Sequence, residues 1–403
     1  MKRVSSAMMP MPSVLLLGAC AVALAMSCAN SDDGAGGPQE DTSVALDASG
    51  PDDAGPPDAT CNAADAECTT DIPPCDAVEW CMVETPASPF YVLKAIWGSG
   101  PNDVWAAGSG GTIVHYDGSA WVATPSGIHN TFNAVWGSGP DDVYVVSGSN
   151  AVLHSDGFKG AGTAWTNMPL PLDSSTTTVI NAVWGTSARD VRLGASAYFG
   201  QNPFTGDYGF WNQFERVLDD AGATPFRPIA GDGTVRGIWG ASADDLWLIV
   251  DDSSNAAWKV AVTLHGTAAA GSDLVFEEVD SQSSDALVAI SGSSASDVWT
   301  VGSHGAIRHI TPSDTRWQVV PSPTTASLHA VWARAPDDVW AAGESGTILH
   351  YDGKSFVTST AQLPSGQKPA LYGIWGSGPN DVWIVGDAIV LHYTGPKAPG
   401  GAK

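Results

Sequence analysis

Ala95-Ile96-Trp97-Gly98-Ser99-Gly100-Pro101-Asn102-Asp103-Val104-Trp105 decides the reading of this chain, because the pattern recurs. Ala134-Val135-Trp136 is followed by Asp142-Val143-Tyr144, Ala182-Val183-Trp184 by Asp190-Val191, and Gly237-Ile238-Trp239 by Asp245-Leu246-Trp247. A degenerate copy, Ala289-Ile290-Ser291-Gly292, precedes Asp297-Val298-Trp299. The last two copies are Ala330-Val331-Trp332 with Asp338-Val339-Trp340, and Gly373-Ile374-Trp375 with Asp381-Val382-Trp383. With Ser291 counted at the Trp position, the seven copies stand 39, 48, 55, 52, 41 and 43 residues apart.

Full copies carry a second signature. Gly111-Thr112-Ile113-Val114-His115-Tyr116-Asp117-Gly118 leads to Trp121, and Gly346-Thr347-Ile348-Leu349-His350-Tyr351-Asp352-Gly353 leads to Phe356. Each copy therefore holds four short β-rich runs, and Asp-Gly suits a tight hairpin because both residues tolerate positive φ. Four strands at a period near 40 to 45 residues describe the blade of an all-β propeller. The seventh copy stops at Leu391-His392-Tyr393-Thr394-Gly395 and lacks its Trp-bearing fourth strand. Glu79-Trp80-Cys81-Met82-Val83-Glu84-Thr85-Pro86, ahead of the first copy, supplies one that matches Ala120-Trp121-Val122-Ala123-Thr124-Pro125. Pairing it into the last blade removes the open edges. The expectation is a seven-bladed β-propeller over 78–395, closed by an N-terminal strand, with a disordered tail over 396–403.

The 403-residue chain has 43 Asp and Glu against 17 Lys and Arg, a formal net charge of -26. That balance argues against nucleic acid and against electrostatic docking on anionic lipid. Part of the acidity lies outside the repeats, since Ala29 to Val78 contains twelve acidic residues and no Lys or Arg. Residues 28–60, rich in Asp, Ala, Gly and Pro, cannot bury enough apolar surface to fold and read as a self-repelling tether. Ahead of it, Lys2, Arg3 and the apolar Val14–Ala25 read as a lipoprotein signal peptide over 1–27.

Two cysteines suit lipidation, Cys28 after Leu24-Ala25-Met26-Ser27 and, as the alternative, Cys20 after Leu17-Gly18-Ala19. Using Cys28 leaves the even set Cys61, Cys68, Cys75 and Cys81, which an oxidising compartment would pair as two disulfides of open connectivity. They staple a lead-in over 61–77. Their spacing lacks the paired C-x-x-C of zinc sites, so neither metal nor other cofactor is expected. Ala29 is not the Asp that commonly retains lipoproteins at the inner membrane. The expected place is the outer membrane, held by the lipid anchor alone, facing periplasm or exterior.

The run Asp-Val-Trp-Ala-Ala-Gly, then Gly-Thr-Ile-Val-His-Tyr-Asp-Gly, then Trp resembles the Asp-box (BNR) propellers over residues 78–395. Within them it most resembles the branch containing photosystem II assembly factors, and more faintly it is similar to tectonin-type lectin propellers. Most hairpins here depart from the Asp-box, carrying one Gly after Asp and no Ser or Thr before it. Propellers of this kind include enzymes, assembly factors and lectins, so the resemblance implies the fold more than the function.

The recurring tryptophans read as filling between blades. His115, His154, His265, His309, His350 and His392 occupy one repeat position and read as structural hydrogen-bond partners. The recurring Asp103, Asp142, Asp190, Asp245, Asp297, Asp338 and Asp381 read as acceptors for turn N–H groups. Function is expected where the repeat breaks, in the long third and fourth copies. Candidate ligand-binding residues there are Tyr198, Tyr208, Trp211, Arg216, Arg227, Arg236, Asp251, Asp252 and Trp258. The arginines are read as part of a connection from the fourth strand of copy three into copy four, and Asp251–Trp258 as an insertion between the second and third strands of copy four. Those two connection types share one face of a propeller.

Arginines beside aromatics suit recognition of carboxylates, sugars or protein. The expected function is a monomeric cell-envelope binding or scaffold propeller for a protein or glycan. The alternative is a sialidase-like or other glycoside-acting enzyme, which needs three converging arginines. Phe226-Arg227-Pro228-Ile229 is similar to the sialidase Phe-Arg-Ile-Pro motif, but its last two residues are reversed and it lies mid-chain. No Ser-His-Asp arrangement stands in for it, and no catalytic residue is assigned.

Overall fold

The runs Asp103–Gly108, Asp297–Gly302 and Asp338–Gly343 are apolar along almost their whole length, with no alternation of polar residues. Such a strand needs cover on both faces of its sheet. The chain provides it by stacking sheets side by side around a ring. The fold was obtained as a computed structural model, which describes residues 72–173, 175–217, 225–252, 259–268 and 273–397. Cys20, Cys28, Cys61, Cys68, Trp258 and the tether and tail lie outside the described residues, as does the side chain of Asp252.

Among the described residues, 28 strands form a β-propeller of successive antiparallel four-strand groups, here called meanders one to seven. Meander one is Leu93–Gly100, Asp103–Gly108, Ile113–Tyr116 and Trp121–Ala123. Meanders three and four are joined by one pair, Ser196 with Thr234, while the other five are separate sheets. The first strands touch in cyclic order, and that of meander seven (Leu371–Gly378) returns to that of meander one. The fourth strand of meander seven is Trp80–Met82, in register with Tyr393, His392 and Leu391. Trp80 there is fully buried, and its indole Nε1 donates to Ser359 Oγ at 3.0 Å. Cys75 and Cys81 form a disulfide beside this strand.

Neighbouring meanders are held by two sets of aromatic contacts. In the first, each inner-strand indole lies over a glycine of the next meander. Trp97 covers Gly137, Trp136 Gly185, Trp184 Gly240, Trp239 Gly292, Trp332 Gly376 and, closing the ring, Trp375 covers Gly98. A Cβ on any of these glycines would stand 2.5–2.8 Å from the indole, so no larger residue fits without movement.

In the second set, five of the second-strand aromatics pack edge-on against the fourth strand of the following meander or the residue leading into it, while Tyr144 of meander two instead accepts from Arg216. The pairs are Trp105 with Trp165 (5.5 Å between ring centres), Trp247 with Trp317 (5.2 Å) and Trp299 with Phe356 (5.8 Å). Trp340 with Trp80 (5.1 Å) and Trp383 with Trp121 (5.5 Å) continue the series. These geometries are the favoured edge-to-face kind, each worth about 0.5–1.5 kcal/mol beyond burial.

The repeated Asp and His residues serve this packing. His115 Nε2 lies 2.6 Å from Asp103 Oδ1, and Ser99 Oγ donates to Asp103 Oδ2 at 2.5 Å. Equivalent contacts join His154 to Asp142, His265 to Asp245, His309 to Asp297, His350 to Asp338 and His392 to Asp381. Each imidazole in turn lies against the second-strand ring, as His392 stacks on Trp383 at 3.7 Å. The expectation for these aspartates was therefore wrong in its partners: the carboxylates accept from side chains rather than from turn N–H groups, from histidine in six copies and from Thr186 and Arg192 at Asp190, with Ser or Arg334 as a further donor at Asp103, Asp142, Asp297, Asp338 and Asp381. The turn acceptor is the other aspartate of the repeat. Asp117 Oδ1 takes the N–H groups of Ser119 and Ala120, both at 2.9 Å.

Candidate functional site

Meander three keeps the indole-over-glycine contacts, through Trp136 on Gly185 and Trp184 on Gly240, but lacks the second-strand aromatic and its imidazole. Where other copies carry Trp105, Tyr144, Trp247, Trp299, Trp340 and Trp383, it carries Arg192. Glu215 stands opposite Arg192 in register, as His115 stands opposite Trp105. The aromatic–imidazole pair is thus replaced by an ion pair. Arg192 Nε donates to Asp190 Oδ1 at 3.0 Å and its Nη1 to Glu215 Oε2 at 3.2 Å, while Arg227 Nη2 donates to Glu215 Oε1 at 3.3 Å. Arg192 is largely buried and Arg227 about half exposed.

Without an indole to fill it, the wedge between meanders three and four opens as a cleft of about 610 Å³. The ionic triad and Pro228 line one side, and Asp244, Asp273, Leu274 and Phe276 of meander four line the other.

The second and third strands of meander three, Asp190–Gln201 and Tyr208–Val217, are the longest pair in the fold. Their added length forms a hairpin beyond a break in register between Gly194 and Tyr198. Its two faces differ. Tyr198 stacks on the buried Phe214 at 6.0 Å, and Trp211 Nε1 donates to Gly200 O at 2.9 Å, so this face is anchored. Burial pushes the Tyr198 hydroxyl up to about 12, with Asp173 adding to the shift.

The other face carries Phe199, Tyr208 and Phe210, which remain 62%, 69% and 52% exposed. Phe199 meets Phe210 at 5.3 Å and Tyr208 at 6.2 Å. At the hairpin tip Asn202 and Phe204 reach the cleft itself. Exposed aromatic surface of this extent is uncommon on folded domains and is enriched at contact sites.

The predicted site residues divide. Tyr198, Tyr208 and Trp211 share the hairpin, with Tyr198 and Trp211 serving to hold it. Arg216 belongs to the third strand and is buried, its Nη1 donating to Tyr144 Oη at 2.7 Å. Burial and then Asp142 push that tyrosine up to about 12, outweighing the opposite effect of Arg216. Arg227 lies in the fourth strand, Arg227–Ala230, at the cleft. Arg236 lies in the first strand of meander four and bonds Asp251, at the mouth of the central passage.

The three arginines therefore do not converge, and the chain passes from the third strand, which ends at Val217, to the fourth, which begins at Arg227, rather than into meander four. That connection and the one after Asp252 leave from opposite strand ends, so the expected meeting of the two insertions is corrected. The reason is the length of the second strand, which displaces every later strand of the copy by one place. Arg192 and Glu215 went unnamed as site residues, although alignment of Arg192 with Trp105 reveals the exchange.

No protein-family model and no curated protein sequence matches the chain. Among solved structures, YCF48 from Cyanidioschyzon merolae is similar with a TM-score of 0.57 at 18% identity, covering 78% of this chain and 98% of that one. A second, titled YCF48 bound to D1 peptide, gives 0.57 at 16% identity over 80% and 97% of the two chains. The WD40 β-propeller domain of Doa1 gives 0.55 at 10% identity over 79% and 98%. At these identities the likeness is one of fold, and the class of this protein is the β-propeller.

Proposed function

We propose that this chain is a scaffold propeller of the bacterial cell envelope, anchored in the outer membrane by lipid on Cys28, that binds a polypeptide through meander three. The carrying observation is the exposed aromatic face of Phe199, Tyr208 and Phe210 on a hairpin anchored from behind. Rigid aromatic rings supply contact area at low entropic cost and are the residues that dominate protein interfaces. The adjoining cleft offers Arg227 beside Asp244 and Asp273, charges of both signs that suit a peptide segment better than a neutral sugar. A similarly folded propeller, YCF48, has been solved with a D1 peptide bound, which supports a peptide as ligand for this fold. The acidic segment after Cys28 gives the head reach from the membrane.

A photo-crosslinking amino acid placed at Tyr208 of the full chain, in cells, tests the reading. We expect one discrete protein adduct that is missing when the probe stands at the exposed Val357 of meander six and is lost in a Phe199→Ser/Phe210→Ser background. The same adduct from both positions, or none, refutes it. Specific glycan binding abolished by the same double substitution would replace the peptide with a sugar.

A further inference from the structure

One position of the inner strand escapes the repeat. Immediately before the conserved Ala or Gly stand Lys94, Asn133, Asn181 and Arg236 in meanders one to four, then Val288, His329 and Tyr372 in meanders five to seven. The residues that follow are nearly uniform, so the same backbone setting accepts six side-chain types. Packing does not dictate this choice.

All seven face a single recess of about 500 Å³. It is continuous with a smaller space of about 240 Å³ lined by every inner strand. The variable residues are thus the rim of the central passage.

Around the ring the chemistry is sorted. Lys94, Asn133, Asn181 and Arg236 make a polar arc with a cation at each end. Asn133 Nδ2 donates to Ile180 O at 2.9 Å and Asn181 Nδ2 to Val235 O at 3.1 Å, which fixes both amides. Val288, His329 and Tyr372 make the opposite arc, where His329 stacks on Tyr372 at 5.1 Å. Burial lowers the His329 pKa against the opposing pull of Glu344 and Asp387, which favours the neutral imidazole.

The charged groups lining the recess, Lys94, Arg236 and Asp251, and those next to His329, Glu344 and Asp387, differ in their commitments. Arg236 is bonded to Asp251. Glu344 lies 3.8 Å from His329 Nε2, and Asp387 accepts the Ala370 N–H at 3.1 Å. Lys94 is exposed and has no ion pair among the described residues. Meanders one and seven are neighbours, so Lys94 and Tyr372 border the same part of the rim. In a chain with 26 excess negative charges this recess presents an unspent ammonium beside an uncharged aromatic wall.

We propose that the mouth of the central passage binds a small organic carboxylate with an apolar or aromatic body, the carboxylate on Lys94 Nζ and the body against Tyr372 and His329. An ammonium in a walled recess attracts a carboxylate more strongly than on an open surface. The recess has the volume of ordinary small-ligand pockets. The proposal is independent of the hairpin, which belongs to another part of the molecule.

Calorimetric titration of the full chain with three probes of one skeleton tests it: phenylacetate, phenethyl alcohol and phenethylamine. We expect saturable binding of the acid, at least about tenfold weaker binding of the alcohol and none of the amine. Lys94→Met should weaken the acid by about tenfold and leave the alcohol unchanged, while Tyr372→Ala weakens both. Lys354→Met, on an exposed turn of meander six, and Phe199→Ser/Phe210→Ser should change neither.

Amine binding as tight as acid, acid affinity untouched by Lys94→Met, or no probe binding tighter than about 1 mM overturns the proposal. The comparison of acid, alcohol and amine on the unaltered chain decides it even if a variant fails to fold.

Discussion

The amide N–H of Ala333 donates to Ser291 Oγ at 3.1 Å, across the one junction of the ring where no indole covers a glycine. Both members of the contact have changed together. Ser291 stands where the other copies carry Trp, and Ala333 stands where the other copies carry the glycine under it. A methyl group occupies space that an indole would need, so the two exchanges form one unit.

That pairing is testable as a cycle. Ser291→Trp alone should destabilise the protein by about 1–3 kcal/mol through overpacking against the Ala333 methyl. Ser291→Trp with Ala333→Gly should recover most of the loss, a non-additivity expected only of residues in contact. Denaturant unfolding of the four proteins measures it, and additive effects would show that the two positions are independent.

The closing junction gives a sharper contrast between two glycines of one strand. A Cβ on Gly98 would stand 2.6 Å from the Trp375 ring and 2.6 Å from the Asp103 carbonyl oxygen, whereas one on Gly100 meets nothing within 4 Å. Gly98→Ala should cost about 1–3 kcal/mol and Gly100→Ala within about 0.5 kcal/mol of nothing. Equal midpoints in thermal unfolding would contradict the contact.

Acid should weaken the fold through the repeated carboxylates. Burial by itself raises the pKa of Asp103, Asp142, Asp297, Asp338 and Asp381, but hydrogen bonds from histidines, with Ser or Arg334 assisting, outweigh it and leave all five lowered. Such groups bind fewer protons folded than unfolded. Their contribution is complete above the unfolded value of about 3.9 and is lost as pH falls through the lower folded values. Denaturation midpoints should therefore be level with respect to these carboxyls above about pH 5 and fall below about pH 4. Asp381→Asn should lower the plateau by about 1–3 kcal/mol and make the acid limb shallower.

The ionic cleft should close when the repeat is restored. Arg192→Trp with Glu215→His rebuilds the aromatic–imidazole pair of the other meanders and should keep the fold. Arg192→Ala alone leaves Glu215 and Asp190 short of a partner and should cost about 1–3 kcal/mol. Partner crosslinking from Tyr208 should weaken in the double variant, in which an indole occupies the groove beside the hairpin. Crosslinking unchanged by a closed cleft would assign contact to the aromatic face alone.

Much of this is legible in the sequence alone. The Trp–Gly spacing and the Asp-Gly hairpins are local signals repeated along the chain, and the displaced strand at Trp80 announced ring closure because its partner copy lacked one. What escaped was register-dependent. The second strand of meander three runs from Asp190 to Gln201, so its hairpin turn lies far from where the other copies place theirs. This extra length places Arg216 in the third strand and Arg227 in the fourth, one strand later than the spacing of the unusual aromatics implies. Arg192 and Lys94 were hidden for opposite reasons. One is a polar residue at a position the repeat fixes, and the other varies where the repeat fixes nothing, which resembles drift until the fold gathers the variants into one ring.

The joining of Trp80–Met82 to Ile389–Tyr393 also orders events in time. The pairing partners lie at the two ends of the propeller sequence, so the ring cannot shut until nearly the whole chain has been delivered. A contact this distant in sequence is slow to form, because a long loop must be closed before it is rewarded. Until then the Ile389–Tyr393 edge stands unpaired and is open to association with other chains. In a chain synthesised N-terminus first, the early strand must wait for the late one.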